Sequence, residues 1–363
     1  MSLPNQETIY IITAFCASLI FSVIGTPFII AMCKKKGLYD MPDARKVHKF
    51  AIPRLGGTLF MPSMCIGMVA ALTVLHGGFS HEFTVAISTT AMAAGGLTIY
   101  LIGILDDLKG MKATHKFVVQ FIVASLFPLC NLMINDLHGI FGIHMIPCVV
   151  AYPLTVFVIL LIVNAMNLID GIDGLASGLS ILILWAFTFL YSALGSPIFT
   201  ILPVSLAGAV TGFFLFNYFG KINGHKIFMG DSGSLFLGYI ISYLAIKYQM
   251  SNWDVFEYRE NSFLISFSLV MLPCFDVIRV AIGRKLRGKQ MFDPDKTHIH
   301  HLIMATGLSM HQTLLVIICT FIAFCIINYG LFIFGVGITY IIIIDIISYL
   351  LLTYFTVTMK EQL

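Results

Sequence analysis

Apolar stretches long enough to cross a bilayer follow one another along almost all of the 363 residues. A spanning helix needs roughly 20 predominantly apolar residues. On that measure the sequence predicts about eleven spanning helices, over 9–32, 56–76, 84–105, 116–135, 148–167, 175–194, 197–217, 232–248, 262–283, 312–335 and 337–358. The expected class is an all-α polytopic membrane protein, with residues 1–363 forming one membrane domain. Segment 135–147 reads as a short external loop with a small hairpin. Composition agrees: 58% of residues are hydrophobic and 11% charged, against about 25% charged in soluble chains. A soluble protein this apolar would expose large patches and aggregate. The net charge of +3 is too small to argue for a nucleic-acid partner.

Basic residues set the expected orientation, because Lys and Arg accumulate in cytoplasmic loops. With the N-terminus outside, about nineteen of the 21 basic residues fall on internal loops or their helix ends, and only Lys247 and Arg259 fall outside. An odd helix count then leaves the C-terminus inside. No Lys or Arg precedes Lys34, so the first apolar run lacks a basic n-region and is expected to stay in the membrane. The eight cysteines form no CxxC pair and lie mostly in apolar runs, as small buried hydrophobes do. The external loops are short and plain. Nearly all Asp, His, Asn and Gly clusters fall on the internal side, where the chemistry is expected.

Four polar clusters stand out. Asp106 and Asp107, in LIGILDDLKG, are adjacent carboxylates at a helix end, where they oppose the macrodipole and invite a cation. Lys109, Lys112 and Lys116 follow them; each could hold phosphate or anchor the interface. In NAMNLIDGIDGLASG, Asn164, Asn167, Asp170 and Asp173 recur every three residues, close to one helical face. Their oxygens are hard donors suited to Mg²⁺, and Gly171 and Gly174 let backbone approach a ligand. A polar helix-to-helix turn is the plainer alternative. In FNYFGKINGHKIFMGDSGSLFLG, Asp231 opens a helix whose N–H groups are expected to be free for an anion. Asp231 could cap that helix or ligate a metal, and Phe228 could stack on a base or sit at the interface. The fourth cluster, DPDKTHIHHLI, brings His298, His300 and His301 into a basic loop able to clamp phosphoryl oxygens. HxHH also fits zinc, but no carboxylate or Cys partner stands at ligand spacing. Asp276 and Arg279 precede that loop, as functional groups or as an i,i+3 ion pair. The loop LYDMPDARKVHK is basic and turn-rich, and Asp345 stands alone inside the last apolar run.

In this order the clusters resemble the polyprenyl-phosphate N-acetylhexosamine-1-phosphate transferases, glycosyltransferase family 4, which includes WecA/TagO-like enzymes, MraY translocases and eukaryotic dolichyl-phosphate GlcNAc-1-phosphate transferases. The resemblance runs from LYDMPDARKVHK to HIHHLI. It implies catalytic roles for Asp106, Asp107, Asp231, His300 and His301, with Asp106 proposed as base toward the lipid phosphate. It implies Asn167 and Asp231 as ligands of Mg²⁺, or of Mn²⁺ in its place. Lys116 matches a lysine associated with substrate phosphates, and Asp173, Asn217 and Phe228 match positions associated with uridine. Asn164, Asp170, Asp276 and His298 are added as substrate-binding candidates. Ile299 interrupts the histidines, where MraY-like chains usually carry three in a row. That places the chain with the WecA/TagO-like branch, whose sugar is typically GlcNAc.

The implied reaction moves HexNAc-1-phosphate from a UDP-sugar to undecaprenyl phosphate, releasing UMP, to initiate cell-envelope glycan synthesis at the cytoplasmic face of a bacterial inner membrane. One-step transfer and a route through a phosphorylated aspartate both remain open. The alternatives are a MurNAc-pentapeptide donor or, in another class, a secondary transporter; transporters place polar groups near the midplane, whereas here they gather at one face. A homodimer is a further expectation. The small-residue run from Ala91 to Gly96 would suit close helix packing, within or between chains.

Overall fold

The computed structural model describes residues 6–41, 50–76, 86–221, 224–250, 257–288 and 296–361. Most of the basic loop at 42–49, and 289–295 with Lys289, Asp293 and Asp295, lie outside the described residues.

Twelve helices make up the described chain: α1 (Gln6–Lys36), α2 (Phe60–His76), α3 (Ile87–Lys109), α4 (Ala113–Leu129), α5 (Cys148–Ile169), α6 (Leu175–Ala193), α7 (Pro197–Tyr218), α8 (Asp231–Gln249), α9 (Ser262–Leu286), α10 (Ile299–Met304), α11 (Met310–Ile333) and α12 (Ile338–Glu361). Each of the eleven expected spans coincides with a helix. Among the described residues, nine helical segments are long and apolar enough to cross a membrane, so the chain is a multi-pass membrane protein. The two others are α4, only 17 residues long, and α8.

α8 falls short in hydropathy for a physical reason. It is buried from Ser232 through Gln249, packed against α3, α5, α6 and α9. A helix enclosed by protein has no need of a lipid-compatible surface. Close approach makes the enclosure possible. A Cβ on Gly95 of α3 would stand 2.1 Å from the Tyr239 hydroxyl, and one on Gly238 would stand 2.7 Å from Val163 Cα of α5. The small-residue run of α3 therefore packs within the chain. A second group of helices, α1, α2, α6 and α7, closes against one flank. There Ser18 and Ser22 donate to the Ser205 and Ala209 carbonyls at 2.5 and 2.8 Å.

The fold is not purely helical. β1 (Tyr39–Asp40) pairs antiparallel with β2 (Ile52–Pro53), and β3 (Asp136–Ile140) with β4 (Ile143–Met145). The second ribbon is the hairpin expected between α4 and α5. It closes one end of the bundle: His138 Nε2 lies 3.0 Å from the Gln249 carbonyl, and Phe141 N–H donates to Thr339 Oγ1 at 2.7 Å. The polar clusters lie at the opposite end. The short α10 lies outside the expected spans; its six residues carry His300 and His301, with His298 at its N-cap, and pack on α11 and α12.

Candidate active site

Five elements meet at the polar end: the last turn of α3, the first of α4, the end of α5 with the turn after it, the start of α8, and α10. Lys116 of α4 forms the centre. Its ammonium bonds Asp106 Oδ2 at 2.9 Å and also pairs with Asp231. Asn167 Nδ2 donates to the other Asp231 oxygen at 2.9 Å and lies 2.8 Å from Ser234 Oγ. The second Asp106 oxygen accepts from Met111 N–H at 2.5 Å, fixing the turn that brings Lys116 back. Side chains of Lys116, Asp106 and Asp231 remain 19, 14 and 24% exposed, so the cluster is open to a substrate.

Asp107 does something else. Its two oxygens accept the N–H groups of Asp231 and Ser232 at 2.9 Å each. The α8 N-terminus, expected to be open to an anion, is filled by this chain's own carboxylate. Asp231 is thereby relieved of capping, and its side chain turns to Lys116 and Asn167. Neither Asp231 nor Gly230 caps α8 with a side chain. Asp107→Asn should lower the melting temperature in detergent, because an amide can accept only one of the two donors; the cost is about 1–2 kcal/mol.

The Asn/Asp repeat divides between helix and turn. α5 ends at Ile169, so Asn164 and Asn167 are helical while Asp170 and Asp173 are carried by the turn. Asn164 does not reach the cluster: its amide bonds Gln120 Oε1 of α4 at 2.9 Å, along the helix from Lys116. Asp173 pairs with Lys226. Asn217 spends both ends of its amide on backbone, accepting from Gly174 N–H at 2.7 Å and donating to the Ile227 carbonyl at 3.0 Å. It therefore ties the 170–174 turn to the 226–230 segment, instead of offering its amide to a ligand. Phe228 is held by its backbone, with its N–H on the Pro53 carbonyl at 2.8 Å and its carbonyl on Gly56 N–H at 2.9 Å.

No hydrogen bond from the described residues reaches the Asp170 carboxylate. Burial, then the neighbouring charges of Asp173, Asp231 and Asp107, push its pKa up to about 7. A raised carboxylate favours folding while protonated, and loses that advantage as pH climbs from near 4 through about 7. Asp170→Asn should therefore raise the melting temperature at pH 8, with the gain fading toward pH 4. A gain independent of pH would contradict this.

The histidines dock on the same turn. A Cβ on Gly171 would lie 2.1 Å from His300 Nε2, so the ring rests directly on that backbone. Both His300 nitrogens are buried with no partner among the described residues. Burial, reinforced by His301, pushes its pKa down to about 3. His300 is thus a neutral ring packed on the acidic turn, and not the cationic phosphate clamp the sequence suggested. His301 stands beside it at 4.3 Å between ring centroids and is partly exposed. His298 is buried, and its Nδ1 lies 2.7 Å from Asp276 Oδ2. Asp276 is 1% exposed and also accepts from Arg279, Ile299 N–H and Tyr349. It holds the histidine segment in place, which leaves it no face for substrate. Asp345, unaccounted for by sequence, bonds Asn328 of α11 at 2.9 Å.

The donor set suits a divalent cation. Asp231 and Asn167 stand side by side and each carries a hard oxygen, and Asp170 is a carboxylate without a hydrogen-bonded counter-group among the described residues. The Lys116 ammonium already bridges two carboxylates as a cation would. As arranged, Asn167 turns its amide nitrogen to Asp231, and among the described residues no three His, Cys, Asp or Glu side chains converge at ligand distance. Residues that sequence reasoning missed are Lys226, Ser234, Gln120 and Tyr349. Ser234 had a signal in its DSGS context; Tyr349 had none.

Residues 89–249 match the family described as Glycosyl transferase family 4. That stretch contains both Asp106–Asp107 and Asp231. The chain is 36% identical over 314 residues to a Bacillus subtilis (strain 168) protein named probable undecaprenyl-phosphate N-acetylglucosaminyl 1-phosphate transferase, covering 86% of this chain and 82% of the relative. A Mycobacterium tuberculosis (strain H37Rv) protein named decaprenyl-phosphate N-acetylglucosaminephosphotransferase is 28% identical, over 82% of this chain and 76% of its own. The Escherichia coli (strain K12) undecaprenyl-phosphate alpha-N-acetylglucosaminyl 1-phosphate transferase is 26% identical, over 82 and 77%. The cluster at the bundle end and this similarity over 86% of the chain agree: the chain belongs to glycosyl transferase family 4.

Proposed function

We propose that the protein transfers GlcNAc-1-phosphate from UDP-GlcNAc to undecaprenyl phosphate, with the active site on the cytoplasmic face of a bacterial inner membrane. The observation that carries this reading is the convergence of Lys116, Asp106, Asp231 and Asn167 at one end of an apolar bundle. There a charged diphosphate can enter from water while a prenyl chain stays in lipid. The names of the three relatives supply the sugar, and those of the Bacillus subtilis and Escherichia coli proteins supply undecaprenyl phosphate as the acceptor.

The lipid phosphate oxygen attacks the β-phosphorus of the nucleotide sugar, the Pα–O–Pβ bridge breaks, and UMP leaves. Lys116 neutralises phosphoryl charge and keeps Asp231 oriented. Mg²⁺, or Mn²⁺ in its place, held by Asp231 and Asn167, would offset diphosphate charge. Asp173 and Phe228, on the two segments tied by Asn217, would receive the uridine. A phosphomonoester has a second pKa near 6, so the acceptor is largely ionised at neutral pH. Positioning and charge neutralisation then matter more than a strong general base.

The test is transfer of radiolabel from a panel of UDP-N-acetylhexosamines to undecaprenyl phosphate, with Mg²⁺ or EDTA. Mg²⁺-dependent labelling from UDP-GlcNAc is expected. Labelling only from UDP-MurNAc-pentapeptide would replace the donor, and no lipid labelling from folded protein would overturn the reading.

A further inference from the structure

α12, a helix rich in Ile, Leu and Tyr, buries the Asp345 carboxylate and, one turn on, the Tyr349 hydroxyl. Asp345 bonds the Asn328 amide, which also reaches Ser268 Oγ of α9 at 2.9 Å. That cluster joins three helices and touches no residue of the candidate site. Tyr349 reaches further. Its side chain is 2% exposed, and its hydroxyl donates to Asp276 Oδ1 at 3.0 Å. The same oxygen accepts Arg279 Nη2 at 2.7 Å and Ile299 N–H at 2.9 Å, while Oδ2 meets His298 Nδ1 at 2.7 Å.

A carboxylate held by three donors on one oxygen cannot turn, so the imidazole on its other oxygen is fixed too. The carboxylate accepts from Nδ1–H, which turns the Nε2 edge of the ring away from Asp276. The His298 ring lies parallel to His300 at 5.9 Å between centroids, and His300 rests on Gly171 beside Asp170. The fixed ring therefore backs the His300 ring that rests on the acidic turn. Packing does not require the hydroxyl: Tyr349 meets Phe275 ring to ring at 5.6 Å, a contact that phenylalanine would keep.

We propose that Tyr349 is a positioning residue that orients His298 through Asp276, which makes the last helix of the chain part of the transfer machinery. The inference rests on the transferase reading above. Its test compares wild type, Tyr349→Phe, Asp345→Asn, His298→Gln and the Tyr349→Phe/His298→Gln double variant, each as the full chain in detergent. Label transfer from UDP-GlcNAc and the melting temperature are read on all five. Losing a hydrogen bond to a charged group should lower the kcat of Tyr349→Phe about tenfold, with KM for the nucleotide sugar changed less than about twofold. Asp345→Asn loosens the same helix without touching Asp276, and should stay within about twofold of wild-type kcat. With His298 already gone, removing the hydroxyl should cost less than about twofold more. Wild-type kcat in Tyr349→Phe, an equal loss in Asp345→Asn, or additive losses in the double variant would each overturn the proposal. A wild-type chain that labels no lipid overturns both it and the transferase reading.

Discussion

Asp231→Asn should lower transfer about 10³-fold, as when a preorganised electrostatic contact is removed from an active site. Three features concentrate the effect there. Lys116 and Asn167 both converge on its carboxylate, its backbone N–H is bound by Asp107, and its position at the start of α8 fixes it against a fully buried helix. An amide at this site removes the charge and sets a second amide against Asn167. Asp106→Asn should cost less. One Asp106 oxygen is spent on Met111 N–H, and the acceptor phosphate needs little help in losing a proton near neutral pH. Measuring both variants across pH separates the roles. If Asp106 acts simply as a base, its variant recovers as pH rises; a large defect that persists at high pH contradicts that role.

Gly57→Ala should lower transfer about 100-fold and depress the melting temperature. A Cβ there would stand 2.2 Å from Gly233 Cα and 2.3 Å from Gly233 N, both backbone atoms of α8. No side chain can rotate away, so the helix start itself must shift. Overpacking of this kind costs typically 1–3 kcal/mol, and a displacement of about 1 Å at a reacting centre can cost 10²-fold in rate. The tight turn of Gly56–Leu59 is anchored by Gly56 and Gly57 N–H bonds to the Phe228 and Met229 carbonyls at 2.9 and 2.8 Å. The strain therefore has no slack on either side. Gly330→Ala in α11, with nothing within 4 Å, should stay within about twofold of wild-type activity. Activity of Gly57→Ala equal to that control would show that the two segments are not in the close contact described.

The helices were legible in the sequence because hydrophobic length is a one-dimensional signal: every expected span falls on a helix. The polar clusters were legible for a related reason, since an Asp or Asn in so apolar a chain is conspicuous. Roles within the clusters were not legible. Asp106 and Asp107 are neighbours of the same type, yet one faces Lys116 and the other caps a helix 124 residues later in the chain. That division depends on which way each side chain leaves α3 and on where α8 begins. Asn217 and Asp276 looked like ligand groups because their donors and acceptors come from distant segments. α8 was legible as a helix but not as the enclosed one, since its surroundings come from four other helices.

The enclosure of α8 has a consequence for biogenesis. An isolated α8, with Ser232, Ser234, Ser242, Lys247 and Gln249 among its nineteen residues, falls short of the apolar character of the nine spanning segments and would partition poorly into lipid. Its place in the bilayer must therefore be prepared by earlier helices. α3 and α5, which flank it, precede it in the chain, so its slot can be half-built before it emerges from the ribosome. For α8, membrane integration is an outcome of tertiary packing, and chain order serves as an assembly schedule.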